Sequence, residues 1–188
     1  MTTIAVFGTG RTEVGDDDYT EAQVIGAMLA SAGYTVMSGG YSGIMEAVSK
    51  GASQKGGHVI GVTTAQFDGK RDGPNEFVKE EIKLPTARER LMYMIDHADG
   101  YIVLPGGIGT FAELANIWEM IRVGDMPQKP VICYGAFWRR VAFEFLTSKY
   151  VLMDQWTSTR FVETPEQAIS ILEETLKSPV PPDEQPSL

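Results

Sequence analysis

Residues 100–122 read GYIVLPGGIGTFAELANIWEMIR, and the order of residue types in this stretch decides the fold. Tyr101, Ile102, Val103 and Leu104 form a short apolar run of strand type. Pro105, Gly106, Gly107, Ile108 and Gly109 read as a turn, too rich in glycine for a helix or a ladder. Thr110 then opens a segment with apolar residues at Phe111, Leu114, Ala115, Ile117, Trp118 and Ile121. That spacing lies on one helical face. Strand, glycine loop and helix start together make an anion site. Glycines let backbone N–H groups approach a ligand, and the helix N-terminus adds partial positive charge.

The same grammar recurs along the chain. Ile4–Phe7 reads as a buried strand followed by Gly8-Thr9-Gly10-Arg11. The acidic loop Asp16-Asp17-Asp18 precedes a helical pattern from Tyr19 to Ala32, which Gly33 is placed to end. Thr35–Ser38 is a second strand. Its glycine loop, Gly39 to Gly43, leads into a helix carrying Ile44, Met45, Ala47 and Val48, stopped by Gly56-Gly57. Val59–Val62 is a third strand. Gln66 to Glu76 reads as a mobile surface loop, and Phe77–Leu84 as a short edge strand. Thr86–His97 is helical, with Leu91, Met94 and Ile95 as its apolar stripe. Val131–Tyr134 is a further strand and Phe137–Ser148 a helix. Thr164-Pro165-Glu166-Gln167 is a helix start with a capping box, and that helix runs to Leu176.

Strands alternating with helices predict an α/β protein, a Rossmann-like parallel sheet with helices on both faces. With 188 residues there is chain for one domain and too little for two ordinary ones. We expect a single nucleotide-binding domain over 1–177 and a disordered proline-rich tail over 178–188. Ligands in such sheets bind outside the carboxyl ends of the strands, where strand order reverses. If the first strand neighbours the strand at Tyr101, the Gly8 and Gly106 loops face one crevice.

Composition narrows the partners. A net charge of -9 and a pI near 4.7 argue against a nucleic-acid polymer or an anionic membrane surface. The one cysteine, Cys133, has no intramolecular partner, which points to a reducing cytoplasm. No apolar run approaches membrane-spanning length. Other nucleotide sites fit poorly. The dinucleotide pattern G-x-G-x-x-G has Glu13 at its third glycine, and Gly39-Gly40 stand where a ribose-binding acid belongs. No glycine loop is followed by Lys-Ser or Lys-Thr, so a P-loop is excluded. His58 and His97 lack paired ligand spacing, and no metal site or cofactor is expected.

Pro105 to Glu113 matches P-G-G-x-G-T-x-x-E. With Ser38-Gly39-Gly40, Gly43-Ile44-Met45, Gly57 to Val62, Arg90 before Ala98-Asp99, and Lys129-Pro130-Val131, the chain resembles the LOG family, also labelled lysine decarboxylase-like. The resemblance covers Ile4 to about Leu146. It implies a phosphoribohydrolase that cleaves a nucleoside 5′-monophosphate, including cytokinin riboside monophosphates, into free base and ribose 5-phosphate. It also implies a homodimer paired through helices near Trp118, Met120 and Ile121. Arg90 and Glu113 are the implied catalytic pair. Gly106, Gly107, Gly109 and Thr110 would hold the phosphate, with Thr9, Gly10 and Gly40 lining the rest of the pocket. Two departures stand out: Arg90-Leu91 replaces the family's Arg-Lys pair, and Gly8-Thr9-Gly10 replaces Cys-Gly-Ser-Ser. Met45-Glu46-Ala47 and Gly51-Ala52 are also similar to molybdenum-cofactor carriers, so a non-catalytic nucleotide or molybdenum-cofactor carrier on the same fold is the alternative. Lysine decarboxylation is rejected, because none of the eight lysines follows a histidine and the chain is small for pyridoxal-phosphate chemistry.

Two residues carry competing readings at this level. Thr110-x-x-Glu113 is also a capping box, with Glu113 bonded back to the Thr110 N–H. Arg90, beside Arg88 and Glu89, would also suit a solvated helix face.

Overall fold

The computed structural model describes residues 1–152, 156 and 158–177, so the proline-rich segment 178–188 lies outside the described residues. Among these residues, seven strands form one sheet: β1 (Thr3–Phe7), β2 (Thr35–Ser38), β3 (Val59–Thr64), β4 (Glu80–Leu84), β5 (Gly100–Val103), β6 (Val131–Tyr134) and β7 (Thr159–Val162). Every pairing is parallel, and the order is β4-β3-β2-β1-β5-β6-β7. The chain therefore winds outward from β1 to one edge, then returns to β1's other side at β5. The reversal falls between β1 and β5, where Ile4 pairs with Gly100 and Phe7 with Val103. Loops leaving these two strands must diverge, and a crevice opens between them.

Among the described residues, six helices cover the faces: α1 (Asp17–Ser31), α2 (Ile44–Gln54), α3 (Ala87–His97), α4 (Ile108–Val123), α5 (Ala136–Leu146) and α6 (Pro165–Lys177). Strand side chains alternate between two apolar layers, as a two-residue period demands. Ile4, Val6, Ile102 and Ile132 pack under α1, α2 and α6 through Ile25, Leu29, Val48 and Leu172. Ala5, Phe7, Tyr101, Val103 and Cys133 pack under α3, α4 and α5 through Ile95, Leu114, Ile117 and Trp138. The indole of Trp138 also donates to the Leu104 carbonyl at 2.8 Å, which fixes α5 to the end of β5.

The structure revises the sequence reading in four places. Helix α4 begins at Ile108 with Gly107 as N-cap, so Ile108 and Gly109 belong to its first turn and Thr110 lies inside it. Asp17 and Asp18 are likewise in the first turn of α1, leaving Asp16 at its N-cap. The short strand β7 was not legible, because only Thr159 and Val162 of its four residues are buried and no longer pattern accumulates. The segment after β3 is built rather than plain loop. A 3-10 turn spans Ala65–Phe67, and the Asn75 amide donates to the Gly40 and Tyr41 carbonyls at 3.0 and 2.9 Å.

Helix ends follow local chemistry. Thr86 and Glu89 form a reciprocal capping box on α3, the Glu89 N–H donating to Thr86 Oγ1 and the Thr86 N–H to Glu89 Oε2. Gly124, at φ 79, ends α4 in the left-handed conformation. On α6, Thr164 caps Gln167 as expected, but the Gln167 side chain accepts from the Glu163 N–H, one residue earlier than the box predicts.

Candidate active site

Three loops are bonded together at the carboxyl end of the sheet. The Gly8–Arg11 loop lies in the middle. Its Thr9 N–H donates to the Pro105 carbonyl at 3.0 Å. On its other side, Thr9 O accepts from the Ile44 N–H at 2.9 Å and Gly10 O from Ser42 Oγ at 3.1 Å. The approach of these loops requires glycine at position 43. Its φ is 70, and a Cβ there would stand 2.6 Å from the Thr9 carbonyl oxygen.

Above the joined loops is a cleft of about 800 Å³. Its lining includes Thr9, Gly10, Gly107, Gly109, Thr110, Arg90 and Glu113, so seven residues singled out from sequence converge on one cavity. Gly40 and Gly106 lie outside that lining. Gly40 turns its carbonyl to Asn75, and a Cβ there would stand 3.1 Å from Gly61 Cα. Gly106 lies beneath Thr110, where a Cβ would come 2.2 Å from the threonine hydroxyl. Arg11, Met45, Phe67, Arg71 and Leu91 also line the cleft; Met45 and Leu91 lie in segments that carry the family resemblance, whereas Phe67 and Arg71 had no sequence signal.

The early start of α4 changes the reading of Glu113. A residue paired with Thr110 as N-cap would have been a helix cap, but Gly107 is the N-cap and no side chain caps this end. The first N–H groups of α4 therefore face the cleft mouth without a capping side chain, and the helix dipole adds to their pull on an anion. Glu113 is left to the cleft wall. Burial pushes its pKa up from 4.5 to about 7, with Arg90 acting in the opposite direction. Near neutral pH this carboxyl exists in both states, as a group that moves protons requires.

Arg90 is not a solvated surface residue. Its Nε donates to the Val62 carbonyl at 2.6 Å, Nη2 lies 3.9 Å from Met45 Sδ, and its guanidinium sits 5.7 Å from the Tyr41 ring centroid. Burial lowers its pKa, and the charge of Glu113 raises it. The seat is cut by Gly39, where a Cβ would fall 1.7 Å from Arg90 Nη2. Gly40, the position expected from the sequence to line the pocket, is one residue away. Tyr41 is itself fixed, its hydroxyl accepting from the Thr64 N–H at 3.0 Å.

Among the described residues, the cleft thus carries three arginines and one carboxyl in a chain of net charge -9. A local reversal of sign on this scale favours an anionic ligand. Among the described residues, no lysine lines the cleft. Among the described residues, no three His, Cys, Asp or Glu side chains are grouped as a metal site would need. Among the same residues, no helix is long and apolar enough to cross a membrane.

Comparison with known proteins places this chain in a family. The model of the family described as "Possible lysine decarboxylase" matches residues 45–172, which include Arg90 and the whole Pro105–Glu113 motif. The chain belongs to this lysine decarboxylase-like (LOG) family. An uncharacterised protein of Archaeoglobus fulgidus is 33% identical over 133 residues, covering 70% of this chain and 83% of that protein. A cytokinin riboside 5′-monophosphate phosphoribohydrolase of Mycobacterium tuberculosis is 38% identical over 112 residues, and the match spans 59% of each chain. A molybdenum cofactor binding protein of Rippkaea orientalis superposes with a TM-score of 0.74 over 93% of this chain and 97% of that one, at 22% identity. At that identity the likeness is one of fold.

Proposed function

We propose that the protein hydrolyses the N-glycosidic bond of a nucleoside 5′-monophosphate to free base and ribose 5-phosphate. The observation that carries this reading is the shared cleft of Glu113, Arg90 and the uncapped start of α4. The 5′-phosphate rests on the N–H groups of Gly107 to Thr110, with the Thr110 hydroxyl adding a donor. Thr9 and Gly10 border the ribose. Gly40 and Gly106 support the loops from behind.

Cleavage passes through an oxocarbenium-like state, in which positive charge develops on the sugar. The Glu113 carboxylate stabilises that charge and takes a proton from the attacking water. The water oxygen bonds to ribose C1, and the electron pair of the C–N bond leaves with the base, which gains a proton. Arg90 holds Glu113 in its ionised form against burial and orients the leaving base. A phosphoribohydrolase activity in the Mycobacterium tuberculosis relative supports this assignment, and the cytokinin riboside monophosphate is a substrate to test first.

A second reading has one specific observation behind it. Leu91 lines the cleft where the family pairs a lysine with the arginine, so the site lacks one cation. A carrier of a phosphorylated cofactor would need binding without that charge. Incubation with a panel of nucleoside monophosphates separates the two. Release of free base that Glu113→Gln abolishes, with phosphate binding retained, supports the hydrolase. Binding without release from any monophosphate supports the carrier.

The chain pairs as a homodimer through α4 and α5. Trp118, expected at the contact, is instead buried in its own chain and donates to Thr159 Oγ1 at 2.9 Å. Phe111, Val141 and Phe145 are among the apolar side chains left exposed on these adjoining helices. Light scattering of the wild type and of Phe145→Glu tests this pairing: a dimer that the substitution dissociates supports it, and a wild-type monomer refutes it.

A further inference from the structure

We propose that Arg71 is a phosphate-recognising residue of the cleft, selecting nucleoside 5′-monophosphates over nucleosides. The proposal rests on the phosphoribohydrolase reading and deepens it by naming what reads the charge of the substrate.

Arg71 lies on the segment between β3 and β4, outside every motif the sequence offers. Its guanidinium is 4.6 Å from the Tyr41 ring centroid and 4.8 Å from that of Phe67. The two rings are 5.9 Å apart and inclined at 57°, so they form a notch that holds the guanidinium from one side. The backbone is held as well, since the Arg71 N–H donates to the Phe67 carbonyl at 3.1 Å. Among the described residues, this guanidinium has no hydrogen-bond acceptor and no carboxylate partner. A long cation fixed by rings with its N–H edge unused is a donor fork prepared for an anion.

Its position says which anion. Arg71 and Arg90 share the Tyr41 ring, and the positive charge of Arg71 is felt at Arg90. The one carboxyl among the cleft's described residues, Glu113, is coupled to Arg90. The repulsion between the two arginines is relieved by an anion placed in the cleft. Nη1 of Arg71 lies 4.0 Å from the Cβ position of Gly10, on the loop bonded to Pro105 ahead of α4. Arg71 therefore reaches toward the end of the cleft where the helix start draws a phosphate, and a phosphate accepts two N–H bonds from one guanidinium. A stacked base would use the guanidinium face, and the rings already occupy one side of it.

The test compares wild type, Arg71→Met and Arg71→Lys by titration calorimetry with ribose 5-phosphate and with ribose, and by base release from a monophosphate and its nucleoside. Removing a charged donor fork is expected to weaken ribose 5-phosphate binding by roughly 10- to 100-fold. Ribose binding and nucleoside turnover stay unchanged, and Arg71→Lys recovers part of the loss through its charge. Ribose 5-phosphate binding equal to wild type in Arg71→Met overturns the proposal. An equal loss on monophosphate and nucleoside overturns it too, and assigns Arg71 to the base or sugar. Failure of the hydrolase reading looks different: wild type would then release no base from any monophosphate, while the calorimetric comparison still decides whether Arg71 binds phosphate.

Discussion

Replacing Glu113 by Gln is expected to make the protein more stable at pH 8 while removing its activity. The magnitude follows from the shifted carboxyl, raised from 4.5 to about 7 by burial against the opposing pull of Arg90. A shift of that size corresponds to about 3 kcal/mol, at roughly 1.4 kcal/mol per pH unit. The folded protein holds this proton more tightly than the unfolded chain does. Its stability is therefore greatest below the unfolded value and falls as pH rises toward the folded one. Above about pH 7, wild type bears the whole cost of a buried carboxylate. Gln resembles the protonated acid in shape and charge, so it avoids that cost. Urea unfolding of both proteins near pH 8 should show the variant ahead by up to about 3 kcal/mol, and near pH 4 the difference should close. A variant no more stable than wild type at pH 8 refutes the claim that burial sets the state of Glu113. Such trade between stability and function is expected where a site holds a strained charge.

Three other outcomes follow from the same geometry. The rate of base release at low substrate should rise with pH through an apparent pKa of about 7, because the carboxylate form acts; a flat profile from pH 5 to 9 would remove Glu113 as the titrating base. Gly39→Ala places a methyl group 1.7 Å from Arg90 Nη2, so the arginine must move while the fold persists; turnover should drop on the order of 100-fold with little change in melting temperature. Thr86→Ala breaks the capping box that starts α3 and should cost about 1 kcal/mol in denaturant unfolding, with Arg90 turnover reduced only if the helix start frays.

Much of this architecture was legible because it rests on local rules. The apolar runs at Ile4–Phe7 and Tyr101–Leu104 and the glycine loops behind them are short-range patterns, and the parallel order follows from their alternation with helices. That Arg90 and Glu113 share one cleft was legible through the motif, although spacing alone left each open to a plainer reading. The start of α4 was not, because glycine is a poor helix former in isolation. Here Gly107 serves as N-cap and Gly109 lies in the first turn, where their lack of a side chain leaves the N–H groups accessible. Gly39 was displaced by one residue because adjacent glycines look alike in sequence; only the position of Arg90 tells them apart. Arg71 had no signal at all. Its partners Tyr41 and Phe67 are distant in sequence from one another and meet only through the fold.

The central claim is hydrolysis at ribose C1, with Glu113 activating the water. Turnover of a nucleoside 5′-monophosphate in oxygen-18 water, followed by mass spectrometry of the products, tests it most directly. The account predicts free base and ribose 5-phosphate carrying one labelled oxygen at C1, with neither product formed by Glu113→Gln. Label in released inorganic phosphate, or free base formed as fast by Glu113→Gln as by wild type, would contradict it.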